Sequence, residues 1–379
     1  MSIGTFKYFP LFVLCATVAF AQSESETETD DAAQPSSTSM APDVRGEDVP
    51  LKMEKGSFVA VPIPVINPTL DEMLVLGAAY FYAQTEEQRE SQPPSVTAGG
   101  VMYSSNESYA AAIGQEIYWH EDTWRFAGAI GYADLLLPLT VPGPGGSGAE
   151  INWLLDGGFA YARLARKLTG RWYLGFSGRT VDINQSFDIM LPPSLFDTRG
   201  ETTSSGLGLF VEHDTRDMTT NAYSGHFFDV SGLFNDESFG SDNDYQAYSA
   251  GFRSYHEMTD QLVLAWEIGG CARSGRVPLW DLCRVPLRGF PATQYLGKTS
   301  AISQVEARWR MNQRWGAVGF VGGGYIDDSL SRVRDDKLIP SYGIGLRFMV
   351  LQSKRINIRL DYARSTDSDA IYLGVLEAF

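Results

Sequence analysis

From Ser303 to Met311 the chain alternates with period two. Val305, Ala307, Trp309 and Met311 fall on one side, Gln304, Glu306, Arg308 and Arg310 on the other. That period assigns opposite faces of a β-strand, one apolar and one charged. Two later stretches repeat it. Tyr342, Ile344, Leu346 and Phe348 alternate with Gly343, Gly345 and Arg347, while Arg355, Asn357, Arg359 and Asp361 share one side of the next segment. Strand after strand with one greasy and one charged face predicts a closed barrel with a wet interior and a lipid-facing exterior.

The same reading extends from Ser57 to the last residue. Alternating segments are expected near 57–66, 73–84, 95–104, 108–120, 123–135, 151–168, 170–184 and 205–214. A second set is expected near 223–234, 244–257, 261–271, 299–311, 315–325, 340–350, 354–364 and 369–379. Sixteen is an even number, which returns both chain ends to one side of the membrane. From the fifth strand on, short connections (168–171, 257–260, 311–314, 352–355) mostly alternate with long ones (185–204, 235–243, 272–298, 326–339), as periplasmic turns and surface loops do. Two connections break the rhythm: the link after Glu212, and 85–94, which is long where a short turn is expected. The predicted fold is all-β, a transmembrane antiparallel barrel over 57–379.

Composition changes the picture at the N-terminus. Lys7, an apolar run from Tyr8 to Phe20 and the small-x-small Ala19-Phe20-Ala21 predict a secretory signal peptide over 1–21. A lipoprotein site at Cys15 is not expected, because bulky Leu14 precedes it. Residues 22–56 are rich in Ser, Thr, Glu and Asp and poor in large apolar residues, which predicts a disordered acidic tail. No later segment holds about 18 uninterrupted apolar residues, so no membrane helix is expected. A closed barrel is then the remaining way to cross a bilayer with every backbone group paired.

The formal net charge of −16 argues against nucleic acid as a partner. Cys271 and Cys283, an even pair in an oxidising compartment, suggest a disulfide closing a loop. No histidine or second cysteine pair lies nearby, so metal binding there is not expected, and no cofactor is implied. Pro62 and Pro64 sit two apart in the first strand and remove backbone donors from one edge. One expectation is that this edge faces the last strand and leaves a weak closing seam. The alternative is that 57–66 is a periplasmic lead-in outside the barrel.

At Leu287, Arg288, Gly289 and Phe290 the chain resembles the Val-Arg-Gly-Phe/Tyr tip of the sixth surface loop in BamA/TamA-type outer-membrane proteins, the bacterial surface antigen superfamily. Gly206 to Asp217 is similar to that family's strand running into an Asp-Thr-Arg-Asp turn. Glu306 with Arg308, Gly343 to Arg347, and Arg359 to Ala363 are similar to its Glu-x-Arg, Gly-x-Gly-x-Arg and Arg-x-Asp-Tyr-Ala strands. The set occurs in order, covers most of 57–379 and is strongest from 205 onward. It departs from the family in three places. The segment before residue 57 leaves no room for a periplasmic POTRA module, so the chain resembles short members that lack them. Phe320-Val321-Gly322 carries glycine where an aspartate is usual. Gly374 and Phe379 fit the closing signal, but Glu377 stands at an apolar position.

The resemblance implies that the sixth loop folds into the lumen and that Arg288 pairs with an acid on the wall, with Glu306 as the candidate. Arg308, Arg347, Arg359 and Asp361 would line that wall, and Gly322–Gly324, Gly343 and Gly345 would let the loop tip approach it. The bland alternative leaves Arg288 in a solvated surface loop. Asp214 to Asp217 reads as a structural turn whose carboxylates accept backbone N–H groups. His213 lies in phase with Val211 and Leu209, on the lipid side or at the periplasmic rim, and no Ser-His-Asp grouping converges. The acidic stretch Asp236 to Asp244 lacks the ligand spacing of a calcium loop. Trp119, Trp124, Trp172 and Trp315 fall near strand ends, where interfacial girdles form.

Three classes of function follow. The first is a non-enzymatic barrel that inserts, translocates or displays polypeptide or envelope material. Its partners would be outer-membrane lipid and lipopolysaccharide, the barrel-assembly machinery and a polypeptide cargo. The second is a passive pore for solutes. The third is a scaffold that recruits a partner through the 22–55 tail or forms a homodimer.

Overall fold

A computed structural model describes residues 56–142, 148–188, 200–327, 338–352, 354–366 and 368–379. In it, sixteen strands close into one antiparallel barrel. They are β1 (Ser57–Asn67), β2 (Asp71–Phe81), β3 (Val96–Ser104), β4 (Tyr109–Trp119), β5 (Trp124–Pro142), β6 (Gly148–Thr169), β7 (Trp172–Phe187) and β8 (Glu201–Asp214). The second half comprises β9 (Gly225–Asn235), β10 (Tyr245–Thr259), β11 (Leu262–Gly275), β14 (Thr299–Arg310), β15 (Trp315–Asp327), β16 (Leu338–Leu351), β17 (Ile356–Arg364) and β18 (Asp369–Val375). Two short strands, β12 (Cys283–Arg284) and β13 (Leu296–Gly297), pair with each other inside the β11–β14 connection. Each barrel strand pairs with the next in the chain, and β1 closes onto β18. The signal-peptide reading of 1–21 and the tail reading of 22–55 lie outside the described residues.

The period-two pattern sets the two faces. Val321, Ile344, Leu346, Ile358 and Leu360 are exposed on the outside, while Glu306, Arg308, Arg347 and Asp361 are buried toward the lumen. At the end carrying the short turns, Trp119 ends β4 and Trp124 begins β5 in a stacked pair 6.4 Å apart. Trp172 and Trp315 begin β7 and β15 at the same end, as an interfacial girdle requires. The connection at 85–94 is a capped helix, α1 (Glu86–Ser91). Thr85 and Gln88 form a reciprocal capping box there, which accounts for its length.

Strict alternation of charge and grease fails in the first three strands. Val59, Ile63, Val75, Phe81, Val96 and Met102 are buried and apolar on the inner side, while Phe58, Leu74, Leu76 and Val101 are exposed on the outer side. This wall is therefore apolar on both faces. β5 and β6 also run further than their local pattern predicts, to Pro142 and from Gly148. Their inner residues Leu137, Leu139, Ile151 and Trp153 pack on Leu279 and Leu296 of the long loop. That tertiary contact extends a hairpin whose own sequence gives no clear alternation.

β1 belongs to the barrel and is not a lead-in. It pairs with β2 without interruption from Ser57 opposite Phe81 to Asn67 opposite Asp71. Against β18 it has a single register pair, Ile66 opposite Leu373. The two missing proline donors thus lie in the strand whose other edge is almost unladdered.

The loop between β11 and β14 is tied to its strand by a disulfide, Cys271–Cys283, with Cα atoms 5.7 Å apart. Cross-linking a loop of this size contributes about 2–3 kcal/mol by restricting the unfolded chain. Replacing both cysteines with serine should therefore lower the thermal midpoint and speed protease cleavage within 276–298. Unchanged melting and unchanged cleavage would contradict this anchoring role.

Candidate functional site

The long loop folds inward and its tip reaches the middle of the wall. Val285, Leu287 and Phe290 pack against Ile302, Ile326 and Ile339, the upper inward residues of β14, β15 and β16. This apolar seat delivers Arg288 to two carboxylates. Its guanidinium donates to Glu306 on β14 and, at 2.9 Å, to Asp361 on β17. Only 8% of the Arg288 side chain is exposed, and neither carboxylate is exposed at all. The Phe320 ring lies 3.5 Å beneath the guanidinium, a cation–π contact in a water-poor site.

Further arginines complete the constellation. Arg308 Nε donates to Glu306 at 3.0 Å, Arg347 to Asp361 at 2.5 Å and Arg359 to Asp361 at 3.2 Å. Arg347 also donates to Glu377 at 2.7 Å, and Asn357 donates to the other Glu377 oxygen at 2.5 Å. Sheet register explains the convergence. Arg308, Val318, Gly345, Asp361 and Tyr372 lie opposite one another across β14 to β18, and Glu306, Phe320 and Gly343 form the next row.

Glycine makes room in this wall. A Cβ on Gly345 would come within 2.0 Å of Asp361 Oδ1, and one on Gly343 within 2.5 Å of the Phe320 ring. These two glycines therefore accommodate neighbouring wall side chains, which in turn receive Arg288. Gly324 is the one that faces the loop directly, under Val285. At the tip, Gly289 adopts φ +111° with its Cα against the Arg364–Ser365 backbone, a conformation that disfavours any side chain.

The tip also bridges the closing seam. Gly289 N–H donates to the Tyr372 hydroxyl of β18 at 2.9 Å, and Ser368 donates to Gly289 C=O at 2.8 Å. A few residues on, Ala292 N–H donates to Thr69 in the β1–β2 turn at 2.8 Å, and Thr293 donates to Pro138 C=O on β5. The loop thus joins β18 to the β1–β2 hairpin where the backbone ladder joins them least. A second anchor lies higher up. Arg179 and Tyr245 each donate to Asp281 at 2.6 Å, and Arg273 reaches it at 3.4 Å. Burial works against the charged carboxyl of Asp281, yet Arg179 and Arg273 outweigh it and hold it well below the usual carboxylate range.

Asp214 to Asp217 is a turn, but it opens a longer connection across the mouth of the barrel that carries Trp172 and Trp315. Arg216 pairs with Asp214 at 2.7 Å, and Asp217 Oδ1 accepts the N–H groups of Met218, Tyr223 and Ser224. The segment then reaches the β16–β17 turn. Arg355 donates to Asp217 at 2.6 Å, and Thr220 donates to Lys354 C=O at 2.6 Å. Tyr223 lies between Arg310 and Arg355, 4.1 and 3.8 Å from their guanidinium carbons.

Several functional residues carry no family signal, among them Asp281, Tyr372 and Thr69. Glu377 reads in sequence as a fault in the closing signal; here it is a buried acceptor for Arg347 and Asn357. Gly374 stays in β18 opposite Arg359, but Phe379 does not continue the strand. Leu376 turns at φ +72°, and the Phe379 carbonyl accepts from Arg308 at 2.8 Å. In the stretch from Asp236 to Asp244, Asp236 and Asp244 accept the N–H groups of Ser238 and Glu237, which accounts for those carboxylates without a cation. Among the described residues no cluster of three or more metal-ligating side chains occurs.

Replacing Arg288 by alanine would take one partner from each of two buried carboxylates and leave Glu306 on Arg308 and Asp361 on Arg347 and Arg359, a loss of about 1–3 kcal/mol. Arg288→Ala should melt early and expose 276–298 to protease. Gly289→Ala should reproduce the loop release with the charges intact. Wild-type melting in both variants would rule out a latched tip.

No protein-family profile matches the chain, and no curated protein matches it in sequence. Solved structures match in fold. BamA from Haemophilus ducreyi lacking POTRA domains 1–3 aligns with TM-score 0.58 and 13% identity over 86% of this chain and 70% of that one. CdiB from Escherichia coli gives 0.58 and 12% over 87% and 68%, and CdiB from Acinetobacter baumannii 0.55 and 11% over 86% and 60%. At such identities the likeness establishes the fold. Together with the strand topology and the apolar outer belt, it makes this chain a closed sixteen-stranded antiparallel β-barrel whose fold is similar to the barrels of BamA and CdiB.

Proposed function

We propose that this barrel moves polypeptide into or across the outer membrane by opening between β1 and β18, without enzymatic chemistry of its own. The observation that carries the reading is the seam: one register pair, bridged instead by side-chain and loop-tip hydrogen bonds. Strand edges with unpaired backbone groups template further strands. The double-faced apolar wall of β1 to β3 supports the same reading, because those strands tolerate hydrocarbon on either side when the seam parts. The ionic wall of β14 to β18 does not, and would stay fixed. Arg288 is then the latch, and its release frees the bridge across the seam. Cargo, assembly machinery and lipopolysaccharide are the partners such a role requires.

An engineered disulfide at the seam tests this. I66C with L373C, oxidised in living cells, should stop growth or outer-membrane protein assembly, and reductant should restore both. Normal growth with a fully formed cross-link would contradict the proposal. In planar bilayers the plugged barrel should give small, unstable currents; large steady ones would return it to the class of passive pores.

A further inference from the structure

The lumen and the seam leave the histidines unused. The chain has four, and all lie at the end of the barrel with short turns: His120 between β4 and β5, His213 near the end of β8, His226 at the start of β9, and His256 near the end of β10. The last three alternate with the buried inward residues Phe210, Glu212, Phe227 and Tyr255, so they face outward at the membrane boundary. Outward polar groups at that depth are costly unless something in the interface satisfies them.

His213 and His226 form a connected pair. His226 Nε2 lies 3.2 Å from His213 Nδ1, and Thr215 Oγ1 lies 3.1 Å from His226 Nδ1. The His213 ring stacks on Trp172 at 4.4 Å, and Phe228 closes on the same indole at 6.0 Å. Arg171 stands in the turn before Trp172, and its charge bears on His213. The adjacent carboxylate of Asp214 is held by Arg216, which limits its repulsion of an anion. An acceptor in front of His213 selects one direction for the relay. The Thr215 hydroxyl would then donate to His226 Nδ1 in place of the His226 carbonyl 3.2 Å away, His226 Nε2–H to His213 Nδ1, and His213 Nε2–H to the acceptor. Trp172 fixes the depth, since indoles settle at the headgroup level.

We propose that Arg171, Trp172, His213 and His226 form a binding site for the phosphate of a glycerophospholipid in the periplasmic leaflet. The site rests on the outer-membrane reading of the barrel and not on its proposed role in polypeptide transport. The cation and the relayed N–H address the phosphodiester, and Trp172 with Phe228 addresses the first carbons of the chains.

The test uses the full chain purified in detergent, with lipid retention read by native mass spectrometry. Phosphatidylglycerol should be retained about tenfold better than a diacylglycerol of the same chains, the size of effect one or two charge-assisted hydrogen bonds give. H213F and R171Q should each abolish most of that preference while the barrel melts normally. Equal retention of the two lipids, or a preference untouched by H213F, would overturn the site. Displacement of the lipid by inorganic phosphate would reassign it to a free anion. Stabilisation by zinc, lost in H226F, in place of any lipid preference would reassign it to a metal. A chain that stays monodisperse without detergent would instead overturn the membrane reading itself.

Discussion

Guanidinium and carboxylate groups from five parts of the chain share a space in the lumen from which bulk water is excluded. That constraint governs the rest. Taking such charges out of water costs several kcal/mol each, and only near-complete pairing offsets it. Arg288 supplies the pairing from the loop, between Glu306 and Asp361, while Arg308, Arg347 and Arg359 supply it from the wall. An apolar plug of equal volume could be as stable. What an ionic latch adds is dependence on one residue: move Arg288 and both acids lose their shared partner together.

The same loop tip also does at the seam what the backbone does elsewhere. Between all other neighbouring barrel strands a ladder of many register pairs holds the cylinder, but between β1 and β18 that ladder is almost missing. Tyr372 and Ser368 on one side and Thr69 on the other are joined through Gly289 and Ala292. Plug and seam are therefore one mechanical unit. The β8–β9 connection adds a second closure at the opposite mouth, held to the β16–β17 turn through Asp217 and Arg355.

All sixteen barrel strands were legible in the sequence, because short strand-length segments bounded by polar, Gly- or Pro-rich breaks are a local signal, and in the last strands a charged-apolar alternation reinforces it. The convergence of Arg288 with Glu306 followed from family resemblance rather than from spacing, since residues 18 apart in the chain meet only through the loop's return. Asp361 stood among the wall residues, but its contact with Arg288 depends on the register of four strands and could not be read locally. Glu377 and Phe379 misled for the same reason: their inward turn is set by Arg347, Asn357 and Arg308, all on other strands. The apolar inner wall of β1 to β3 does not follow from β14, β16 and β17, where the lumen is charged.

The central claim is that the Arg288 latch holds the seam shut. Hydrogen–deuterium exchange at the backbone amides of β1 and β18, in lipid nanodiscs, tests it most directly. With Arg288→Ala the expected result is faster exchange confined to β1, β18 and the loop, with β5 to β11 as protected as in the wild type. Unchanged protection of β1 and β18 in a variant whose loop is demonstrably released would contradict the account.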